Sequence, residues 1–283
     1  MVESKTPIKS IEEVVNWING NKSVLMIDCR YKLSEPDDGF DRYKSDHIKG
    51  ALYIDLEKDL SDKVEKHGGR HPLPSIHSLE RTMGRLGIND DTVVVAYDDE
   101  GGAFASRLWW VLTYLGHEHV YVLDEGYTKW KSSGYAVDDV IPTYTPTQFK
   151  ANPQHEMLTT QEVVLTAVQQ GNATILDSRE EARYLGLVEP IDRIAGRIPG
   201  AEHAFWKGNL NEDGTWKSNK ELSERFNMID KKDSVIVYCG SGVTACPNVL
   251  ALTSLGYKDV RLYAGSWSDW ITYEGIPIET NKK

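Results

Sequence analysis

The chain has 283 residues, 40% hydrophobic and 27% charged, a composition typical of a folded globular protein with room for two domains. Its 32 Lys and Arg against 43 Asp and Glu give a net charge of −11, which argues against a nucleic-acid-binding surface. No apolar run approaches the ~18 residues of a membrane span, and three cysteines are too few for a disulfide framework, so we expect a cytoplasmic protein that binds neither membrane nor nucleic acid.

In the first half of the chain, short β-branched runs alternate with helix-like segments. Strands are predicted at VLMID, TVVVAY and HVYVL, and helices at SIEEVVNWI and ASRLWWVLTYLG. Ser10 and Glu13 have the spacing of a capping box at the start of the first helix. Strands that alternate with helices predict an α/β fold, with a mostly parallel sheet and helices on both faces.

Residues 141–156 hold three prolines and show no clear periodicity. We interpret them as a linker between an N-terminal domain at 1–140 and a C-terminal domain at 157–283. The second domain opens with LTTQEVVLTAVQQG, which predicts a helix with Thr160 as its N-cap and Gly171 as its C-terminal stop.

The two halves carry the same features in the same order. LMIDCR (25–30) corresponds to TILDSR (174–179), HIKGALYIDL (47–56) to RIPGAEHAFW (197–206), DTVVVAY (91–97) to DSVIVYC (233–239), and LGHEHVYVLDEGYTKW (115–130) to LGYKDVRLYAGSWSDW (255–270). Four ordered matches indicate a duplicated domain. Asp28 with Arg30, and Asp177 with Arg179, are predicted to form a repeated structural ion pair at a strand end.

The segment YCGSGVTAC, residues 238–246, lies between a predicted strand, SVIVY, and a predicted helix, ACPNVLALTSLG. Its glycines let the backbone curl so that successive N–H groups face one point, and the helix N-terminus adds partial positive charge. Both effects favour the thiolate of Cys239, which is what a sulfur nucleophile needs. A buried apolar cysteine and a disulfide with Cys246 remain alternatives, whereas no CxxC or histidine pair supports a metal site.

The first copy has YDDEGGAFAS at the corresponding position, where the thiol is absent. We expect Asp98, Asp99 and Glu100 to oppose an anion-binding loop there, so the second copy is predicted to carry the chemistry. Cys29 stands where the second copy has Ser178, and we interpret it as structural.

These motifs resemble those of the tandem-domain rhodanese-type sulfurtransferases, which include thiosulfate and 3-mercaptopyruvate sulfurtransferases. The resemblance covers nearly the whole chain and rests on HIKGA and RIPGA, DSREEARYLG with VEP after it, YDDEGG with LWW, and CGSGVTA. It implies two tandem rhodanese-like domains, the first inactive, and no metal or organic cofactor. It also implies that Cys239 accepts sulfur as a persulfide and passes it to cyanide, a thiol or thioredoxin.

Within the family, thiosulfate users typically place Arg-Lys after the cysteine and mercaptopyruvate users place Gly-Ser. Gly240 and Ser241 therefore favour 3-mercaptopyruvate as the sulfur donor, with a thiosulfate-preferring enzyme as the alternative. The resemblance implies that Ser241 acts with His47 and an aspartate, Asp38 or its neighbour Asp37, to shuttle the thiol proton.

The resemblance also implies cationic partners for the carboxylate of the sulfur donor. Arg183 matches the family's substrate arginine. Ile191 stands where the mercaptopyruvate pattern has a second arginine, so Arg193 or Arg197 is expected to substitute, although Arg197 occupies a position where the family normally has histidine. Further substrate contacts are implied for the loop residues Gly242, Val243 and Thr244 and for Tyr31, Phe104 and Trp206, whose alternative role is core packing.

Two other functions are weighed against this one. Cysteine phosphatases share the fold but need an arginine six positions after the nucleophile, where this chain has Ala245. A non-catalytic sulfur carrier or binding module is disfavoured by the intact cysteine and its candidate partners.

Overall fold

The computed structural model describes residues 6–20 and 22–281, and the chain divides into two compact units. The first unit contains the chain up to Asp62, Pro74–Gln154 and Leu210–Trp216. The second contains Lys63–Leu73, His155–Asn209 and the chain from Lys217 onward. Lys63–Leu73 therefore packs with the second unit, and Leu210–Trp216 packs with the first. The predicted domain boundaries at 140 and 157 do not include this exchange.

The first unit is an α/β structure. Its elements are β1 (Ile8–Lys9), α1 (Ile11–Asn19), β2 (Val24–Asp28), α2 (Asp38–Ser45), β3 (His47–Ile48), β4 (Leu52–Tyr53), α3 (Ile76–Arg85), β5 (Val93–Tyr97), α4 (Ala105–Tyr114), β6 (Val120–Leu123), α5 (Gly126–Ser132) and β7 (Val137–Asp138). Five strands form a parallel sheet in the order β1-β6-β5-β2-β4, while β3 and β7 form a separate antiparallel pair. Adjacent β5 residues Val94 and Val95, which point to opposite faces, are both fully buried, so both faces of the sheet are covered.

The second unit repeats this plan. Its elements are β8 (Leu158–Thr159), α6 (Gln161–Gln170), β9 (Thr174–Asp177), α7 (Glu181–Tyr184), β10 (Glu202–His203), α8 (Asn219–Arg225), β11 (Ser234–Tyr238), α9 (Cys246–Ser254), β12 (Asp259–Tyr263) and α10 (Ser266–Trp270), with 3₁₀ turns at His155–Met157 and Trp206–Asn209. The strands form a parallel sheet in the order β8-β12-β11-β9-β10, which matches the first sheet strand for strand. The predicted duplication and fold class are therefore confirmed.

The predicted ion pairs recur at equivalent strand ends. Asp28 accepts hydrogen bonds from Arg30 Nε at 2.9 Å and Nη2 at 2.7 Å, and a third from the hydroxyl of Tyr97 at 2.9 Å. Asp177 is bound in the same way by Arg179 and by the hydroxyl of Tyr238. All these side chains are buried, and each pair holds the ends of two neighbouring strands together, which supports the predicted structural role.

The helix-end predictions mostly hold. Ser10 and Glu13 form the predicted capping box on α1, and Gly171 ends α6 in the left-handed region at φ +62°. Thr160 stands at the N-cap position of α6, but its side chain makes no capping hydrogen bond. Within the described ranges, no helix is both long enough and apolar enough to cross a membrane.

Asp124 attaches the segment Leu210–Trp216 to the first unit. Its carboxylate accepts the backbone N–H of Trp216 at 2.6 Å. The pKa of Asp124 is raised to about 6, mainly by burial and in part by the charges of Glu125 and Asp213, while this hydrogen bond opposes the rise.

Candidate active site

Cys239 is the first residue after β11 and is 1% exposed. Its N–H donates to the hydroxyl oxygen of Ser266 at 3.1 Å, and its carbonyl accepts the N–H of Trp267 at 3.0 Å. The next carbonyl, that of Gly240, accepts the N–H of Ser268 at 2.9 Å. The start of α10 thus fixes the backbone on both sides of the thiol.

Ser266 holds this contact in an unfavourable backbone conformation. With φ at +56° it is the sole non-glycine residue of positive φ among residues 6–20 and 22–281. The equivalent residue of the first unit, at the start of α5, is Gly126 with φ +71°. The second unit therefore keeps a hydroxyl where glycine would be less strained, and strain retained beside a nucleophile is typical of functional sites.

Gly242 allows the loop to curl. Its φ is +77°, and a Cβ atom added there would lie 2.2 Å from the carbonyl oxygen of Ala264. The loop can approach the end of β12 this closely because the residue has no side chain.

The first unit shows what this loop geometry binds. Asp98 follows β5 as Cys239 follows β11, and its buried carboxylate accepts four backbone N–H groups at 2.8 to 2.9 Å. The donors are Glu100, Gly102, Phe104 and Ala105. The expectation that Asp98 opposes the loop is wrong, because the loop binds the carboxyl group of Asp98. Burial raises the pKa of Asp98, and the hydrogen bonds from the loop oppose that rise.

The loop of the second unit has the same spacing between strand and helix. Ser241, Val243 and Ala245 stand two, four and six positions after Cys239, as three of the donors do after Asp98. Their N–H groups make no hydrogen bond to a protein acceptor within the described part of the chain. The loop can therefore receive a negative charge carried by the side chain of Cys239.

A histidine contacts the residue two positions beyond the thiol. The Oγ atom of Ser241 lies 2.7 Å from Nδ1 of His71, and both side chains are buried. His71 belongs to the segment Lys63–Leu73 of the second unit, which has no counterpart among the repeated motifs. The sequence analysis did not select His71. The available signal for it was a histidine in the glycine- and proline-rich stretch GGRHPLP.

His47, to which the sequence assigned this contact, serves a different purpose. It is fully buried in the first unit, with Nδ1 2.7 Å from the carbonyl of Tyr43 and Nε2 3.3 Å from the carboxylate of Asp138. Asp38 pairs instead with Arg42, one turn along α2, at 2.8 Å. These contacts support a structural role for His47 and Asp38.

Two arginines converge beside Cys239. A Cβ atom added to Gly240 would lie 2.9 Å from Nη2 of Arg70 and 3.4 Å from both terminal nitrogens of Arg183. The guanidinium of Arg183 also binds Glu189, through Nε at 3.1 Å and Nη2 at 2.8 Å. The structure thus brings the predicted Arg183 to the site and adds Arg70, which the sequence reasoning missed.

Comparison with known proteins identifies the family. A Rhodanese-like domain model matches residues 10–133 and 160–273. A relative from Pseudomonas aeruginosa, named "Probable 3-mercaptopyruvate sulfurtransferase", is 42% identical over 262 residues, which are 91% of this chain and 92% of the relative. The thiosulfate sulfurtransferase of Rattus norvegicus is 36% identical over 84% of this chain and 81% of its own length. This chain belongs to the tandem rhodanese-type sulfurtransferases.

A solved structure agrees with this assignment. The crystal structure of SseA from Escherichia coli, described with the 3-mercaptopyruvate sulfotransferases, matches this sulfurtransferase with a TM-score of 0.82 and 30% identity. The match covers 93% of this chain and 99% of that one. Within the described ranges, the sulfurtransferase has no group of three or more His, Cys, Asp and Glu that could hold a metal ion.

The two other predicted arginines of the sulfurtransferase are held by the C-terminal segment. Arg193 donates to the carbonyl of Ile271. Arg197 pairs with Glu279, lies over the ring of Tyr184 at 4.4 Å and donates to the carbonyl of that tyrosine. The expected substitution for the missing second arginine is therefore not supported for either residue.

The contacts of Arg197 match those of His47, the equivalent residue of the first unit. Arg197 binds the backbone carbonyl of Tyr184, and His47 binds the backbone carbonyl of Tyr43. Each tyrosine in turn donates its hydroxyl at 2.9 Å to the carbonyl of an equivalent alanine, Ala201 or Ala51. The motifs RIPGA and HIKGA therefore mark a repeated structural contact.

The remaining predicted contacts fall in loop and core. Tyr31 and Phe104 pack edge to face at 5.4 Å in the first unit, and Trp206 is buried in a 3₁₀ turn of the second, as the core-packing alternative expects. In the loop, Val243 is buried, whereas Thr244 is partly exposed.

The three thiols are free and differ in their surroundings. Burial raises the pKa of Cys29 well above its usual value, and the charges of Asp98 and Asp28 raise it further, as expected for a structural cysteine. The Sγ atom of Cys246 lies 3.3 Å from the carbonyl of Gly242. No disulfide joins Cys246 to Cys239.

Proposed function

We propose that this sulfurtransferase moves one sulfur atom from 3-mercaptopyruvate, through a persulfide on Cys239, to a thiophilic acceptor. The observation that carries the proposal is the pair of equivalent loops. The first loop binds the carboxylate of Asp98 through its backbone N–H groups, and the second has N–H groups at the equivalent positions after Cys239 that make no hydrogen bond to a protein acceptor in the described part of the chain. A persulfide anion is a charge that such a loop stabilises.

The first half-reaction balances without a cofactor. The thiolate of Cys239 attacks the sulfur of 3-mercaptopyruvate, a sulfur–sulfur bond forms, and the carbon–sulfur bond breaks with its electron pair left on carbon. The thiol proton passes through the hydroxyl of Ser241 to Nδ1 of His71 and returns to that carbon, which gives pyruvate. The 2.7 Å contact between Oγ and Nδ1 supports this route.

Arg183 supports binding of the carboxylate of the sulfur donor. Its guanidinium lies beside Gly240, one residue from the nucleophile. Its Nη1 makes no hydrogen bond to a protein acceptor in the described part of the chain, so it can donate a charge-assisted hydrogen bond to that carboxylate and orient the donor. Gly240 and Ser241, directly after Cys239, also favour mercaptopyruvate.

Thiosulfate is the second candidate donor, since two guanidinium groups lie at the site and a similar rat protein is named a thiosulfate sulfurtransferase. Transfer of the outer sulfur of thiosulfate to Cys239 leaves sulfite and moves no proton. The contact between Ser241 and His71 would then have no part in the reaction. For the acceptor we propose cyanide or a thiol such as that of thioredoxin, which attacks the outer sulfur and releases the thiolate of Cys239.

We further propose that the second unit, which combines Lys63–Leu73 with most of the C-terminal half, is catalytic and that the first unit is inactive. We place the protein in the cytoplasm, because three free cysteines fit a reducing compartment.

The test is sulfur transfer from each donor, measured side by side, with mass spectrometry of the enzyme after the donor alone. We expect Cys239 to gain one sulfur atom and Cys239→Ser to lose turnover with both donors. Cys246→Ser, which changes another buried thiol, is the matched control and should retain the modification. Full activity in Cys239→Ser would refute the mechanism, and a far higher kcat/KM for thiosulfate would reverse the donor assignment.

A further inference from the structure

Arg70 is fixed to the helix that also fixes the nucleophile. Its backbone N–H donates to the hydroxyl of Ser268 at 3.1 Å, and the N–H of Gly68 donates to the carboxylate of Asp269 at 2.7 Å. Between them, Gly69 has φ +81° and comes so close to α10 that an added Cβ would lie 2.4 Å from the carbonyl oxygen of Gly265. Because the start of α10 also fixes the backbone of Cys239, this helix sets the position of Arg70 relative to the thiol.

A buried carboxylate joins the two arginines of the site. Asp192, whose side chain is 4% exposed, binds Nη1 of Arg70 with one oxygen and Nη2 of Arg183 with the other, the latter at 3.0 Å. Asp192 therefore sets the separation of the two guanidinium groups.

One terminal nitrogen of each arginine is left for a ligand. Nη2 of Arg70 and Nη1 of Arg183 both lie beside Gly240, and neither donates to a protein acceptor in the part of the chain that the structure describes. Unused guanidinium donors that converge next to a nucleophile point to an anionic substrate group.

The charge of this cluster selects the kind of anion. The guanidinium groups of Arg70 and Arg183 are matched by the carboxylates of Glu189 and Asp192, whose side chains are 3% and 4% exposed. Arg179, which also contacts Glu189 at 3.4 Å, is matched by its own partner, Asp177. The cluster thus offers directed hydrogen bonds with no excess positive charge. On such a neutral cluster a single carboxylate accepts those bonds and leaves one uncompensated negative charge, whereas a dianion leaves two, which costs more in a partly buried site.

We propose that Arg70 is the second arginine for the sulfur donor, and that Asp192, its positioning residue, makes the site prefer a monoanionic α-keto thiol to dianionic thiosulfate. The inference rests on the proposed sulfur-transfer function. It also accounts for Ile191, which stands where the related pattern has an arginine and is 54% exposed.

The test compares Arg70→Gln, Arg70→Lys and Asp192→Asn with Arg193→Gln, a control that removes a nearby arginine held by the carbonyl of Ile271. Loss of a charge-assisted hydrogen bond should lower the kcat/KM for 3-mercaptopyruvate about 10- to 100-fold in Arg70→Gln. Arg70→Lys should recover part of the loss, and the control should stay within about twofold. Asp192→Asn, which leaves an unbalanced positive charge, should raise the kcat/KM ratio of thiosulfate to mercaptopyruvate about tenfold.

A binding measurement separates this inference from the proposed chemistry. Pyruvate, the monoanionic product, is titrated into Cys239→Ser and into the Cys239→Ser, Arg70→Gln double variant by calorimetry. Weaker binding in the double variant supports the role of Arg70 even if no persulfide forms. Equal binding, or an Arg70→Gln enzyme that matches the Arg193→Gln control, would overturn the inference. An unchanged donor ratio in a folded Asp192→Asn enzyme would overturn the role of Asp192.

Discussion

Gly242 gives the sharpest test of the loop geometry, because the chain contains a matched control. Gly242→Ala and Gly171→Ala both place a side chain on a backbone of positive φ, +77° and +62°. They therefore share the cost of the left-handed conformation, about 1 kcal/mol. They differ in surroundings, since a Cβ at Gly171 meets nothing within 4 Å, whereas one at Gly242 lies 2.2 Å from the carbonyl oxygen of Ala264.

The collision at Gly242 cannot be relieved by rotating a side chain, because its closest contacts are all backbone atoms of Ala264. The loop must shift by about 1 Å, and a displacement of that size at a reacting group costs about 100-fold in rate. Overpacking adds about 1 to 3 kcal/mol to the loss of unfolding free energy. We expect Gly242→Ala to lose about 100-fold in persulfide formation and Gly171→Ala to stay within about twofold.

Persulfide formation is followed in single turnovers with 3-mercaptopyruvate by pyruvate release, and stability is followed by urea unfolding of both variants. If the two alanine variants lose activity and stability equally, the close approach of the loop to β12 is not what positions Cys239, and the reasoning fails.

Three further outcomes are expected. Ser241→Ala should slow sulfur transfer from 3-mercaptopyruvate about 100-fold but hardly affect transfer from thiosulfate. Only the reaction with 3-mercaptopyruvate needs the proton route to His71. Equal slowing with both donors would refute that route. Ser266→Gly should relieve about 1 kcal/mol of backbone strain but leave the N–H of Cys239 without its acceptor. We therefore expect kcat to fall about tenfold with little change in Tm. An unchanged kcat would contradict the role of Ser266 in positioning Cys239. The pKa of Asp124 is raised from 3.8 to about 6, so this carboxyl stabilises the fold at low pH and that contribution is lost as the pH rises through 6. Asp124→Asn, which keeps the acceptor oxygen, should therefore raise Tm at pH 7 but not at pH 4, and a higher Tm at both values or at neither would refute the assignment.

Much of this molecule is encoded in short stretches of sequence. The strands, the capping box of α1 and the glycine end of α6 were predictable because they depend on residues a few positions apart. The duplication followed from motifs in matching order, and the Cys239 loop followed from glycines between a strand and a helix. Arg183 came from the family pattern, and the structure places it at Gly240.

His47 shows where motif matching misled. HIKGA and RIPGA suggested functional positions, yet His47 and Arg197 bind the carbonyls of Tyr43 and Tyr184 in their own units. A motif repeated in both copies marks what the two copies share, which is the fold.

Tertiary structure alone decided which residues surround the thiol. His71 and Arg70 precede Ser241 and Gly240 by about 170 positions, and the sequence gives no sign that their segment packs with the second unit. Periodicity, capping and turn signals act over a few residues, whereas chain packing brings together residues at any separation, such as His71 and Ser241. Cys239, the proposed nucleophile, was therefore predictable from its own loop, whereas its proposed partners His71, Arg70 and Asp192 emerged only from the fold.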